Sequence, residues 1–334
     1  MLFSFKSNNM FFLFIVFSST LISVSANSWF GCWIGLEINL LSFIPLISNS
    51  KNMLSNEASL KYFLIQSIAS INFLFMILLK LLIFNHYFNM SLLLNLPLLM
   101  KMGSTPFHFW FPNIVEGMSW INNFILMTWQ KISPMILLSY YFNKNLLIFI
   151  LIMNAIIGAI GGLNQTSLRK IMAFSSINNL SWMLSSLMIS ENLWLLYFMF
   201  YSFLISIMCF LFNYFNMFFI NQLYILNINS MLKFSFLINF LSLGGLPPFI
   251  GFFSKWIIIN FLMFNNYMIM SFIFIMMSLI MLFFYIRISY SSLMFNYLKL
   301  KWFKINLNNN NNNFINLITM ISITGMIFST LFFL

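Results

Sequence analysis

Apolar stretches of roughly twenty residues recur along the chain, separated by short segments that gather Lys, Arg, Asn and Ser. The stretches lack two-residue alternation, so helices rather than barrel strands are expected. A bilayer core of about 30 Å is crossed by about 20 apolar residues in a helix, and backbone groups in lipid must be satisfied inside helices or closed barrels. The pattern predicts eleven spans, at about 9–27, 30–48, 58–84, 90–110, 119–142, 146–163, 170–189, 192–216, 232–264, 267–287 and 314–333. The chain therefore reads as an all-α polytopic membrane protein, a single transmembrane domain over 1–334 with repeat-like halves at about 9–142 and 146–287 and a final helix at 314–333. The ninth span is too long for one straight crossing. GGLPPF at 244–249 should break it, because proline removes a donor and clashes with the preceding turn.

Composition supports this reading. Of 334 residues 62% are apolar, 20% aromatic and only 6% charged, against about 25% charged in soluble domains. A soluble enzyme, a nucleic-acid binder and a disordered chain are excluded. Fifteen bases face four acids, Glu37, Glu57, Glu116 and Glu191, and the formal charge is +11. The bases sort by face. Lys6, Lys51, Arg169, Lys170, Lys233, Arg287, Lys299, Lys301 and Lys304 fall in loops on the N-terminal side, and Lys144 alone falls opposite. By the positive-inside rule, the N terminus is expected on the cytoplasm-like side and the C terminus across the membrane. Cys32 and Cys209 lie in apolar spans, so neither a disulfide nor a metal site is expected. The first apolar run lacks a small-residue cleavage site and reads as a span, not a cleaved signal. The Phe, Met, Ile and Asn richness fits coding under nucleotide bias, and the Asn run at 308–313 reads as a tolerant loop.

Five lysines and one acid remain inside spans: Lys61, Lys80, Lys101, Lys131, Lys255 and Glu37. An ionisable group in a span costs about 2.5–3.5 kcal/mol on insertion scales, and such groups face a partner or a water-filled path. Lys80 is close enough to a span end to snorkel. Lys61 follows Glu57 by four residues, the order that favours a helix ion pair, and serves equally as a surface pair or a proton-uptake group. Lys101, Lys131 and Lys255 are too deep to reach water easily. They read as proton carriers, or else as bridges between helices. Burial favours a neutral lysine and a nearby carboxylate a charged one. A lysine with a movable acidic neighbour can thus be switched, and Glu37 is the natural partner.

The surroundings of two of these lysines repeat. KMGSTPFHFW at 101–110 and GGLPPFIGFF at 244–253 share G-x-x-P-F, as Gly103, Pro106, Phe107 and Gly245, Pro248, Phe249. The copies lie in the fourth and ninth spans and should run in opposite directions. This predicts an antiporter-like inverted repeat with two broken helices, broken at Gly103, Pro106, Gly245, Pro247 and Pro248. His108, beside the first break, serves equally as a relay or a hydrogen-bonded core residue. There is no paired-His haem pattern, no Cys cluster for iron–sulfur ligation, and no P-loop or Rossmann fingerprint.

GLEINLLSFIPL at 35–46, EASLKYFLIQSIAS at 57–70, KMGSTPFHFWFPNIVEG at 101–117, TWQKISP at 128–134, LNQTSLRKIMAFSSINNLSWM at 163–183 and LGGLPPFIGFFSKW at 243–256 follow one another in order. Together they resemble the chain 2 family of NADH-ubiquinone oxidoreductase, antiporter-like membrane subunits of respiratory complex I. The resemblance spans nearly the whole chain and fits a short, eleven-helix animal form that lacks three N-terminal helices of bacterial relatives. It implies a subunit of the H+-translocating NADH:ubiquinone reductase in the mitochondrial inner membrane, with its N terminus in the matrix and its C terminus in the intermembrane space. It implies neighbouring membrane subunits of complex I and the lipid bilayer as partners, and no nucleic acid. FMN, iron–sulfur clusters and ubiquinone would sit in other subunits, and no cofactor or metal in this chain. Residue by residue, it implies a proton pathway of Glu37, Lys101, Lys131 and Lys255, with His108 and Lys61 secondary and no catalytic residue. Ser104-Thr105 departs from the more apolar pair of many relatives. Two rival readings are a stand-alone cation/proton antiporter and a structural spacer. The first would want oxygen ligands, and the chain has no Asp; the second would make the lysines matter for assembly alone.

Overall fold

The computed structural model describes residues 7–49, 52–82, 90–225, 230–294, 315 and 319–324. Among these the chain is helical, and the sole extended pairing is an isolated antiparallel bridge between Ser167 and Phe219. Lys6, Lys51, His86, Lys299, Lys301, Lys304, the Asn run at 308–313 and most of the span expected at 314–333 lie outside the described residues. The chain divides into two compact units, Met1–Ile150 and Leu151–Leu334.

In the first unit α1 (Ser7–Ser25), α2 (Trp29–Ile47) and α3 (Met53–Leu82) match the first three expected spans. Ser28 caps α2, its hydroxyl accepting from Gly31 N–H at 3.2 Å, which satisfies one of the orphan donors of the first turn. The fourth span, expected at 90–110, holds α4 (Met90–Met102) and the G-x-x-P-F break, and α5 (Trp110–Gly117) follows it in a segment expected to lie between spans. The fifth, expected as one helix, is also interrupted, giving α6 (Trp120–Met127) and α7 (Trp129–Tyr140). The physical reason is local. Thr128 is distorted to φ −115° and ψ −74°; its N–H keeps the helical bond to Phe124 O at 3.0 Å, while its hydroxyl donates to the same oxygen at 2.7 Å, a back-bond that bends helices. Pro134 offers no N–H to the Gln130 carbonyl. α2 packs on α1 and α3, α3 on α4 and α5, and α7 on α4 and α1.

The division between units falls within α8 (Lys144–Gly162). The second unit continues with α9 (Leu168–Ile189), α10 (Glu191–Tyr214), α11 (Ile220–Ile225), α12 (Ser230–Gly244), α13 (Ile250–Phe264) and α14 (Met268–Met294). The short α11 was not expected from the hydrophobic pattern. The Ser190 hydroxyl accepts from Leu193 N–H at 3.3 Å at the start of α10, where Glu191 in the first turn complements the helix dipole. α9 pairs with α10, α12 with α14, and α13 packs against α9, α10, α12 and α14. Lys233, read from the sequence as a loop base, sits in α12 and is buried. Arg287, read likewise, is an exposed residue within α14, which runs on to Met294.

The two broken helices close in the same way. Gly103 and Gly245 adopt φ values of +71° and +86°, a region where a Cβ is disfavoured. Ser104 N–H donates to Leu99 O and Gly103 N–H to Met100 O, both at 3.2 Å. Leu246 N–H donates to Leu241 O at 3.3 Å, and Gly245 N–H to Ser242 O at 3.1 Å. Each is a glycine-closed Schellman cap, with proline following where the helix cannot continue.

Five helices are long and apolar enough to cross a membrane among the described residues, from Trp29–Ile47 to Met268–Tyr290. Large apolar side chains such as Phe14, Leu21, Leu60, Ile71, Met199 and Ile269 are exposed, as a lipid-facing surface requires.

Candidate functional site

Two of the deep lysines meet in the first unit. Lys101 occupies the last turn of α4 and is 8% exposed, while Lys131 occupies the first turn of α7 and is 1% exposed. Both line one cavity with about 20 Å³ of room for water centres, enough for a water molecule. Its polar walls include Asn39, Gln66, Gln130, Tyr62 and Ser133. The Ser133 hydroxyl and Trp110 Nε1, both of cavity-lining residues, are buried without a hydrogen-bond partner.

Three helices hold these lysines in place through amides. Asn39 on α2 and Gln130 on α7 exchange two hydrogen bonds, each 2.9 Å. This reciprocal pair fixes the residue next to Lys131 against α2. Gln66 on α3 donates to the Lys101 carbonyl at 3.2 Å, satisfying a group that the end of α4 leaves without a helical partner. Lys131 N–H donates to Thr128 O at 3.1 Å, so the interruption between α6 and α7 begins the turn that carries the lysine. Lys131 Nζ lies 5.4 Å from the centroid of the Phe111 ring, a face that attracts an ammonium.

Glu37 lies on α2, half-buried, two residues before Asn39. It interacts electrostatically with Lys101, yet no ion pair within 4.0 Å joins it to a lysine among the described residues. Its Oε2 is buried without a hydrogen-bond partner. The carboxylate therefore has an unused acceptor near a buried ammonium.

The secondary candidates differ. His108 sits in the break between α4 and α5, 6% exposed, with Nδ1 3.3 Å from Pro106 O. Lys61 forms an exposed ion pair with Glu57 at 2.6 Å, on the outside of α3 and away from the cavity lining. Lys80, beyond the candidate set, hydrogen-bonds the Tyr141 hydroxyl and stands over the rings of Trp29 and Tyr141.

Lys255 belongs to the second unit. On α13 and 7% exposed, its Nζ donates to Leu243 O at 3.2 Å and Gly244 O at 2.9 Å. It therefore caps the free carbonyls at the end of α12, where the helix dipole favours a cation. A Cβ at Gly245 would lie 3.0 Å from that Nζ, so the glycine makes room for the lysine as well as for the turn. Pro247 and Pro248 are exposed in the linker from α12 to α13.

A family model described as NADH:quinone oxidoreductase/Mrp antiporter, TM, matches residues 26–281. The chain is 48% identical to an Anopheles gambiae NADH-ubiquinone oxidoreductase chain 2, with 98% of each chain covered. It is 49% identical to the protein of that name from Aedes aegypti, again with 98% of each covered. The chain belongs to the NADH-ubiquinone oxidoreductase chain 2 family. It is a multi-pass membrane protein. A chain in a structure of respiratory complex I from Thermus thermophilus shares the fold, with a TM-score of 0.80 at 18% identity, covering 96% of this chain and 77% of that one.

Asn39, Gln66 and Gln130 were missed from the sequence as members of the site. Their signal was present, since each is an amide inside a predicted span, where polar side chains are costly unless paired. Among the described residues no group of three or more His, Cys or carboxylate side chains could hold a metal ion. Cys32 and Cys209 are buried free thiols.

Proposed function

We propose that this chain is an antiporter-like membrane subunit of the proton-pumping NADH:ubiquinone oxidoreductase of the mitochondrial inner membrane. In this reading it moves protons through Glu37, Lys101, Lys131 and Lys255 while electrons pass from NADH to ubiquinone in other subunits. The observation that carries it is the shared cavity: two buried lysines on different helices line one space with room for water. Nothing in close packing alone calls for two such groups there, because a buried amine is costly unless it does work.

The chemistry follows from the placements. A neutral lysine Nζ accepts a proton on its lone pair and a charged one releases it to water. An ammonium and a carboxylate stabilise one another's charged forms at short range, so motion of Glu37 toward or away from Lys101 biases where the proton resides. Lys131, 1% exposed beside Phe111, is the next station along the cavity. Lys255 at the α12 cap serves the second unit, where two backbone carbonyls hold its ammonium. His108 beside the first break can exchange protons with the α4 end. The redox groups, FMN, iron–sulfur clusters and ubiquinone, belong to other subunits of the assembly in this reading. The neighbouring membrane subunits of that complex are its partners, and its N terminus faces the matrix.

The test is neutralisation at fixed shape. In Lys101→Met and Lys255→Met complexes, NADH-driven ubiquinone reduction coupled to proton movement should fall while the complex still assembles. Unchanged coupled turnover in both assembled variants overturns the proposal, and a defect confined to assembly supports a spacer role instead.

A further inference from the structure

We propose that the outer face of α3 is a subunit interface, covered in the assembly by a transmembrane helix of a neighbouring subunit that sets a hydrogen-bonding side chain opposite Asn72. The proposal deepens the reading of the chain as one membrane subunit among several and rests on it.

α3 exposes one stripe. Glu57, Lys61, Leu64, Ile68, Asn72 and Phe75 recur every three or four residues, the spacing of one helix face, and all are exposed. The opposite side, with Tyr62, Gln66, Ala69 and Phe73, is buried. A stripe that met only acyl chains would be apolar throughout, because polar groups in hydrocarbon are costly. This one carries an ion pair, Lys61 to Glu57 at 2.6 Å, and an amide.

The amide decides between lipid and protein. α3 has 30 residues, a length of about 45 Å, against a hydrocarbon core of about 30 Å. Asn72 lies about 15 Å along the axis from the nearer end at Leu82. Its short side chain does not reach the headgroups as a lysine stem does. In the helices long and apolar enough to cross a membrane, the other exposed amides, Asn145, Asn192 and Asn213, sit next to a helix end. The other deep amides in those helices, Asn39, Gln66 and Asn154, are buried. Deep amides are thus enclosed by protein, and Asn72 departs from that pattern among the described residues. Its side chain forms no hydrogen bond among them.

The occupant follows from what Asn72 lacks. Acyl chains offer neither donor nor acceptor, so an amide against them stays unpaired at a cost. Backbone facing lipid at this depth is helical, and Ser, Thr, Asn and Gln side chains hydrogen-bond across such helices. A second copy of this chain fits poorly. A two-fold axis along the membrane normal keeps each residue at its own depth, and so sets Lys61 against Lys61 and Glu57 against Glu57. The neutral Glu57–Lys61 pair suits instead a partner helix that is polar but uncharged at that level.

The test is a cryo-electron microscopy map of the intact complex, isolated by its NADH-driven ubiquinone reduction. The expected result is a helix of another subunit along Leu64, Ile68 and Asn72, with a side-chain oxygen or nitrogen within hydrogen-bond distance of the Asn72 amide. Acyl chains on the stripe overturn the proposal, as do a helix of this same chain, a second copy, or a partner helix that shows Asn72 only apolar side chains. Asn72→Leu reads the same contact by its strength. At a fixed detergent concentration the neighbour should dissociate from the assembled variant about three- to twenty-fold more readily, the span of measured hydrogen bonds between membrane helices. Equal retention in Asn72→Leu overturns the interface. An active complex with acyl chains on the stripe sinks the interface alone, whereas absence of this chain from the active complex sinks the functional reading with it.

Discussion

Gly245 shows how a single atom links backbone to chemistry. Its φ of +86° closes α12, and its missing Cβ leaves space for Lys255 Nζ on the carbonyls of Leu243 and Gly244. Gly245→Ala should cost about 1–2 kcal/mol for the left-handed conformation alone and should push the ammonium off its carbonyls. The expected outcome is a lower thermal unfolding temperature of the detergent-extracted complex together with weaker proton pumping. An unchanged thermal profile would show that the cap is not held as described. The amide pair Asn39 and Gln130 gives a second residue-level test. Gln130→Leu leaves the buried Asn39 amide without its partner, at a cost of about 1–3 kcal/mol, and Asn39→Leu does the same to the half-buried Gln130 at a smaller cost. The double variant should be less destabilised than the sum of the singles, because both polar groups are then gone. Additive losses in a double-mutant cycle would contradict the reciprocal hydrogen bonds.

At the scale of elements, most of the fold was legible because a span is a length-and-polarity signal. Each of the first ten expected spans holds helix, and both breaks fall at the G-x-x-P-F copies, where Gly and Pro act through backbone rules that need no tertiary context. The interruption at Thr128 was not legible, since threonine tolerates helix and the distorted torsions there, φ −115° and ψ −74°, depend on the tertiary setting. The lysines were found by charge in an apolar setting. The amides around them were not, because Asn and Gln are common enough in spans that only contact across helices distinguishes a network from filler. Lys233 illustrates the reverse error: counted among loop bases, it lies in α12 and is buried, since a position near a span end does not say which way a side chain points.

For the molecule as a whole, exposed apolar side chains and scarce charge define the solvent. Phe14, Leu60 and Ile269 are exposed in company with many others, so the chain should stay monodisperse only in lipid or detergent. Dilution below the detergent's micelle concentration should produce aggregates in light scattering, and a monodisperse species in plain buffer would contradict the membrane assignment. The central claim is that buried amines move protons in step with electron flow elsewhere, and Lys131 is its most buried member. The most direct measurement is the number of protons moved per electron by the assembled Lys131→Met complex in sealed vesicles. The account predicts a ratio below that of the unaltered complex with assembly preserved. An unaltered ratio in a fully assembled Lys131→Met complex would contradict it.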